Sequence, residues 1–226
     1  MPDADLSLAI PAIFFGAIGT AGQRCTSTRR LYLHESIAPK VLDSLLPLYK
    51  SVSVKPGDPL DRKTLLGPLH TRTAVGMYED AVHKLRESGG EILVGGEAYG
   101  SASLGETLAR GNYVQPTIAR PLSASLTSSA SSAQESQAQS LWRKETFAPI
   151  LQVGIFSDLA EAIEWNNAVP QGLSSSLWTR DMRNVGRWIG PRGGDCGIVN
   201  VNVGTSGAEI GAAFGGNKVR DTLRSL

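Results

Sequence analysis

Ile150-Leu151-Gln152-Val153-Gly154-Ile155-Phe156 is an apolar run of strand length, and the stretch behind it sets the fold. Ser157 caps a helical stretch through Val169, and Leu173 to Thr179 is extended again. Asp181 to Ile189 is helical, and Gly197 to Val201 is a further strand. Strand and helix alternate, which implies an α/β layer structure with a mainly parallel sheet. Such sheets gather ligand sites at the carboxyl ends of their strands. The glycine-bearing loop Asn202 to Gly216 follows one of these strands.

The same alternation extends toward the amino terminus. Asp3 and Asp5 precede Leu6, Ile10, Ile13, Phe14 and Ile18, spaced as one face of a helix with an acidic start, kinked at Pro11 and closed at Gly19. Arg30 to His34 reads as a strand, and Ser36 with Pro39 opens a helix through about Val52. Thr71 to Ser88 is an amphipathic helix ended by Gly89-Gly90. Glu91 to Val94 and Tyr113 to Ile118 read as short strands. Residues 121–143, dominated by Ser, Ala and Gln, have little to bury and read as a low-complexity surface insertion.

Bulk chemistry narrows the partners. The 226 residues carry 22 Lys plus Arg against 21 Asp plus Glu, a net charge of +1 that calls for neither a nucleic acid nor an anionic membrane. Two cysteines argue against a disulfide framework and fit a reducing compartment. The three histidines, His34, His70 and His83, show no metal-ligand spacing, so no metal is expected. No stretch is long and apolar enough to span a bilayer, and the apolar Leu6–Ile18 lacks the basic flank of a signal peptide. The expectation is a cytoplasmic protein, or one of the mitochondrial matrix.

Cys25 is the chemical centre of the chain. It lies in Gly19-Thr20-Ala21-Gly22-Gln23-Arg24-Cys25-Thr26, a glycine-bearing loop between helix and strand, with Arg24, Arg29 and Arg30 nearby. Cationic neighbours favour the thiolate, which is the nucleophilic form, and glycines let backbone approach a ligand closely. The competing reading is a small buried thiol. Cys196, between Asp195 and Gly197, has no cation beside it and reads as structural. Gly211 to Lys218 nearly forms a phosphate-binding loop, but Asn217 stands where its lysine belongs.

Five segments in order carry a resemblance: Gly22-Gln23-Arg24-Cys25-Thr26, Glu145-Thr146-Phe147-Ala148-Pro149, Gly172-Leu173-Ser174-Ser175-Ser176, Asn200-Val201-Asn202 and Phe214-Gly215-Gly216. Together they resemble the catalytic half of the aldehyde dehydrogenases. Thr205-Ser206-Gly207-Ala208-Glu209-Ile210-Gly211 is similar to the antiquitin branch, the α-aminoadipic semialdehyde dehydrogenases. The resemblance implies a catalytic domain over residues 1–218, with helices on both faces of the sheet, and a divergent tail at 219–226. It implies a homo-oligomeric family whose terminal oligomerisation segment this chain lacks.

The resemblance also assigns roles. Cys25 would attack the aldehyde carbon, and NAD would be the cofactor, with Glu145 accepting hydrogen bonds from the nicotinamide ribose and Phe147 beside the nicotinamide. Gly207 and Ala208 would grip the far carboxylate of a semialdehyde, helped by Arg24, while Thr26 lines the aldehyde end and Phe214 forms an apolar wall. Taken singly, Glu145 also reads as a surface acid, Phe147 as core packing, Thr26 as a turn residue and Arg24 as a surface cation. The family's first half supplies the cofactor-binding domain, an oxyanion asparagine and the general-base glutamate of a Glu-Leu-Gly-Gly segment, none of which occurs here. Two further readings stand beside an active dehydrogenase. One is a non-catalytic fragment that associates with full-length subunits. The other is a cofactor-free thiol hydrolase with His34 as base.

Overall fold

A computed structural model describes residues 1–53, 55–122, 141–208, 211 and 213–218. Residues 123–140, 209, 210 and 219–226, which hold most of the expected insertion, two positions of the antiquitin-like run and the whole tail, lie outside the described residues.

The helices are α1 (Leu6–Ile18), α2 (Ala38–Ser53), α3 (Arg72–Glu87), α4 (Ser101–Leu108), α5 (Leu159–Asn167) and α6 (Met182–Ile189). The strands are β1 (Arg30–His34), β2 (Glu91–Val94), β3 (Thr117–Arg120), β4 (Ile150–Phe156), β5 (Ser174–Leu177) and β6 (Ile198–Val201). One sheet has the order β1-β4-β3-β2, with β4 parallel to both neighbours and β2 an antiparallel edge. In its centre Arg30 pairs with Gln152 and His34 with Phe156. A second sheet pairs β5 with β6 in parallel.

Side chains on β1 alternate between two cores. Leu31 and Leu33 join a large cluster with Ile13, Val41, Leu45, Tyr78 and Leu85 from α1, α2 and α3. Tyr32 packs on the opposite side against Trp142, Phe156, Trp165 and Trp188, on the side of α5 and α6. Period-two alternation therefore places helices on both faces of the sheet. Each large apolar side chain fully buried there contributes roughly 1.5–3 kcal/mol of transfer free energy.

Capping fixes the helix starts. Asp5 accepts from the Ser7 N–H, Thr71 from Ala74 and Asp181 from Arg183. Asp158, rather than Ser157, caps α5 by accepting from the Ala160 N–H at 2.7 Å, and the Ser157 N–H instead donates to Glu161. Pro11 falls within α1 without ending it. The strand expected at Tyr113 begins at Thr117 instead, because Pro116 has no N–H to give a ladder. Val114 makes only a bridge to Ala98. Helix α4, with Gly105 at φ 69° inside it, has no clear apolar period and was not expected.

Leu141–Arg143, the carboxyl end of the stretch read as an insertion, is anchored in the protein. Leu141 and Trp142 are buried. Arg30 donates to the Trp142 carbonyl and Gln171 to that of Arg143. Among the described residues no helix is long and apolar enough to cross a membrane, and no group of His, Cys, Asp or Glu could hold a metal ion.

Candidate active site

The Cys25 loop leaves α1 through Thr20, Ala21 and Gly22, three successive residues at φ 55°, 50° and 68°. Only glycine adopts that region freely, so the first two store strain of about 1–3 kcal/mol each. The surroundings impose the turn. A Cβ on Gly22 would lie 2.6 Å from the carbonyl carbon and oxygen of Ala148, so the loop rests directly on the segment before β4. The turn leaves Cys25 exposed, which removes the buried-thiol reading.

Arg29 fastens that contact. Its Nε donates to Glu145 Oε1 at 3.0 Å, Nη1 to the Gly22 carbonyl at 3.0 Å and Nη2 to the Arg24 carbonyl at 3.0 Å. The guanidinium also lies over the Phe147 ring, 4.9 Å from its centroid. Phe147 sits at φ 56°, a position a bulky residue rarely adopts. The side chains of Arg29 and Glu145 are 13% and 20% exposed, enough burial for the pair to matter. One fork thus joins the thiol loop to the two residues expected at the cofactor. In the sequence Arg29 counted only as a cation; its spacing gave no sign of this role.

A second clasp reaches the loop after β6. Thr205 Oγ1 donates to the Thr26 carbonyl at 2.8 Å and shares a 2.8 Å hydrogen bond with Thr28 Oγ1. Thr26 is buried. Asn200 Nδ2 donates to the carbonyls of Gly204 and Gly207, and the Gly207 N–H turns inward to the Gly204 carbonyl. Gly207 thereby closes a tight turn, and a Cβ there would collide with Val203. Ala208 follows it, half-buried.

On another side, Gln23 Oε1 accepts from the His70 N–H at 2.9 Å, and Gln23 Nε2 donates to the Pro68 carbonyl. Cys25, Glu145 and Thr205 share the lining of a cavity of about 160 Å³ that continues between β1 and β5. Arg24 lies with its guanidinium 4.9 Å from the Phe15 centroid. Phe214 is 55% exposed, and Gly215 beside it rests on Gly197; no contact among the described residues brings Phe214 to Cys25.

The position of this cluster departs from the strand-end expectation. Cys25 and Arg29 precede β1, and Glu145 and Phe147 precede β4, so the cluster lies at the amino ends of the parallel strands. The loop after β6 doubles back to reach them through Thr205. His34 ends β1 on the far side, bonded to Ser36, with the four strand residues Arg30 to Leu33, at about 3.3 Å each, in between. That separation removes the pairing of His34 with Cys25. Cys196, which also lines the Cys25 cavity, takes a long contact of 3.9 Å from Asn166 Nδ2.

Comparison with known proteins places this arrangement. The aldehyde dehydrogenase family model matches residues 1–220. The chain belongs to the aldehyde dehydrogenase family. It is 50% identical over 216 residues to the mouse (Mus musculus) α-aminoadipic semialdehyde dehydrogenase, covering 96% of this chain and 36% of that protein. Among solved structures it resembles a 3,6-anhydro-L-galactose dehydrogenase in complex with NAP, with a TM-score of 0.81 and 25% identity over 96% of this chain and 41% of that one. It likewise resembles PnpE in complex with nicotinamide adenine dinucleotide, with a TM-score of 0.78 and 28% identity over 95% of this chain and 39% of that one. The chain spans between 36% and 39% of the length of such curated relatives.

Proposed function

We propose that this chain carries the thiol half of an NAD-dependent aldehyde dehydrogenase acting on a carboxylated semialdehyde such as α-aminoadipic semialdehyde. The observation that carries the reading is an exposed Cys25 clasped on one side to Glu145 and Phe147 and on the other to the Thr205–Ala208 loop. The 50% identity to an α-aminoadipic semialdehyde dehydrogenase supports the substrate class.

The Cys25 thiolate attacks the aldehyde carbon, forming a C–S bond as the carbonyl electrons move to oxygen. The backbone N–H of Cys25 would donate to the developing oxyanion, a kind of donor worth about 2.7–4 kcal/mol in other enzymes. When bound, a nicotinamide dinucleotide would supply the hydride acceptor that lets the thiohemiacetal on Cys25 become a thioester, with Glu145 and Phe147 the residues that would hold its nicotinamide end. Water then releases the acid and frees the thiol. Glu145, one-fifth exposed beside Cys25, fits a ribose diol, because a carboxylate offers two acceptor oxygens. Phe147 gives that end an apolar neighbour. No Gly-x-Gly-x-x-Gly turn follows a strand in this chain, so the fit extends to the nicotinamide ribose and not to the phosphates. At the far end, Ala208 and Arg24 would hold the substrate carboxylate, with Gly207 supplying the turn.

The test is NADH formation by the purified chain with α-aminoadipic semialdehyde, with NADP as the alternative acceptor and Cys25→Ala as the blank. Turnover that survives Cys25→Ala would overturn the reading. The fraction of its relatives that the chain spans favours a second one, association with full-length subunits without turnover. Its outcome is no NADH but co-elution with a full-length relative in size-exclusion chromatography.

A further inference from the structure

We infer that Thr205 is a specificity-positioning residue, setting the distance between the Cys25 thiol and the far anionic end of the substrate. The inference rests on the semialdehyde reading above and gives Thr205, there only one end of the clasp, a role of its own.

The argument starts from proton counting. A threonine hydroxyl has one hydrogen to give. Thr205 Oγ1 gives it to the Thr26 carbonyl at 2.8 Å. At the 2.8 Å contact with Thr28 Oγ1, Thr205 must then accept, so the Thr28 hydroxyl donates. The result is a directed chain from Thr28 through Thr205 to the carbonyl of Thr26, the residue after Cys25, and such chains reinforce each other where water is largely excluded. All three residues are at least half-buried.

Both ends of the chain are fixed. The Thr28 N–H donates to the Gly16 carbonyl of α1 at 2.9 Å. A Cβ on Gly16 would lie 2.6 Å from Thr28 Oγ1, so a glycine there is what lets the hydroxyl reach this position. On the other side, Asn200 and the internal Gly207-to-Gly204 bond hold residues 204–207 as one unit hung from β6. Among the described residues the loop is tied to the second sheet by Asn200 and by the Ser176 hydroxyl, which donates to the Val203 carbonyl, and to the thiol loop by Thr205. The Thr205 tie is the one that sets its distance from Cys25. Ser206 adds little, because its contacts with Thr26 are 3.4 and 3.5 Å.

The test uses the chain itself and needs no cofactor. Cys25 is alkylated by neutral N-ethylmaleimide and by anionic 3-maleimidopropionate, and the ratio of the two rates is read at Cys25 by peptide mass spectrometry. Cys196 serves as the internal reference. The wild type should favour the anionic reagent about tenfold, the weight of one charge-assisted hydrogen bond. Thr205→Val, which keeps the shape and removes both hydrogen bonds, should bring the ratio close to that at Cys196. Thr205→Ser should restore it, and Thr28→Val should lower it from the other end of the chain. General loosening would change both rates together and leave the ratio alone. A wild type with no preference, or a preference that survives Thr205→Val, overturns the inference while leaving Cys25 as nucleophile. A Cys25 that reacts with neither reagent overturns the proposed function and this inference with it.

Discussion

Replacing Arg29 by methionine isolates the fork that joins the two halves of the site. Methionine keeps the length and the apolar contact with Phe147 and removes every donor. Three hydrogen bonds of 3.0 Å disappear, to Glu145, Gly22 and Arg24. A hydrogen bond to a charged partner is worth about 1.5–3 kcal/mol, the half-buried Arg24 carbonyl can turn to water and loses about 0.5 kcal/mol or less, and the buried Gly22 carbonyl loses about 1 kcal/mol. Glu145, one-fifth exposed, also loses its counter-ion. The sum is about 3 kcal/mol. For a chain of this size that lowers Tm by about 6–12 °C, readable by circular dichroism. Arg29→Lys should recover less than half of the loss, because an ammonium cannot span three acceptors. In a double-mutant cycle with Glu145→Gln, the pair should show coupling of about 1 kcal/mol. A Tm within about 2 °C of the wild type, or full recovery by lysine, would refute the assignment.

Gly22→Ala should cost at least about 2 kcal/mol, since it puts a Cβ at φ 68° and 2.6 Å from Ala148; a urea midpoint unchanged from the wild type would contradict the contact. Asp3 supplies the pH test. Burial pushes its carboxyl up, but hydrogen bonds from the Thr179 hydroxyl and the N–H groups of Arg180 and Asp181 outweigh it and hold the group below its ordinary value. A folded value below the unfolded one gives stability that is present above the ordinary carboxylate range and lost as pH falls through the folded value. Asp3→Asn should therefore be less stable than the wild type by about 1 kcal/mol at neutral pH, with the gap closing in acid; a constant gap across that range would disprove the linkage.

The sheet was legible where one physical rule dominated. The apolar run Ile150–Phe156 became β4 with its boundaries intact, and Glu91–Val94 became β2. Boundaries moved where side chains compete for a cap, as Asp158 displaced Ser157, or where a proline interrupts a ladder, as at Pro116. Cys25 was legible because a thiol among glycines and cations is a local pattern. The residues that assemble the site around it were not. Arg29 meets Glu145 across 116 positions and Thr205 meets Thr26 across 179, and neither separation leaves a periodic trace. The strand-end rule also misled, because the loop after β6 runs back toward the amino ends.

The account stands on the thiol of Cys25 capturing a carbonyl. Iodoacetamide labelling at neutral pH, quantified separately at Cys25 and Cys196, tests that capture. The account predicts rapid modification of Cys25, slow modification of Cys196, and protection of Cys25 alone when α-aminoadipic semialdehyde is added first. Labelling of Cys25 no faster than that of Cys196, or unaffected by the aldehyde, would contradict it.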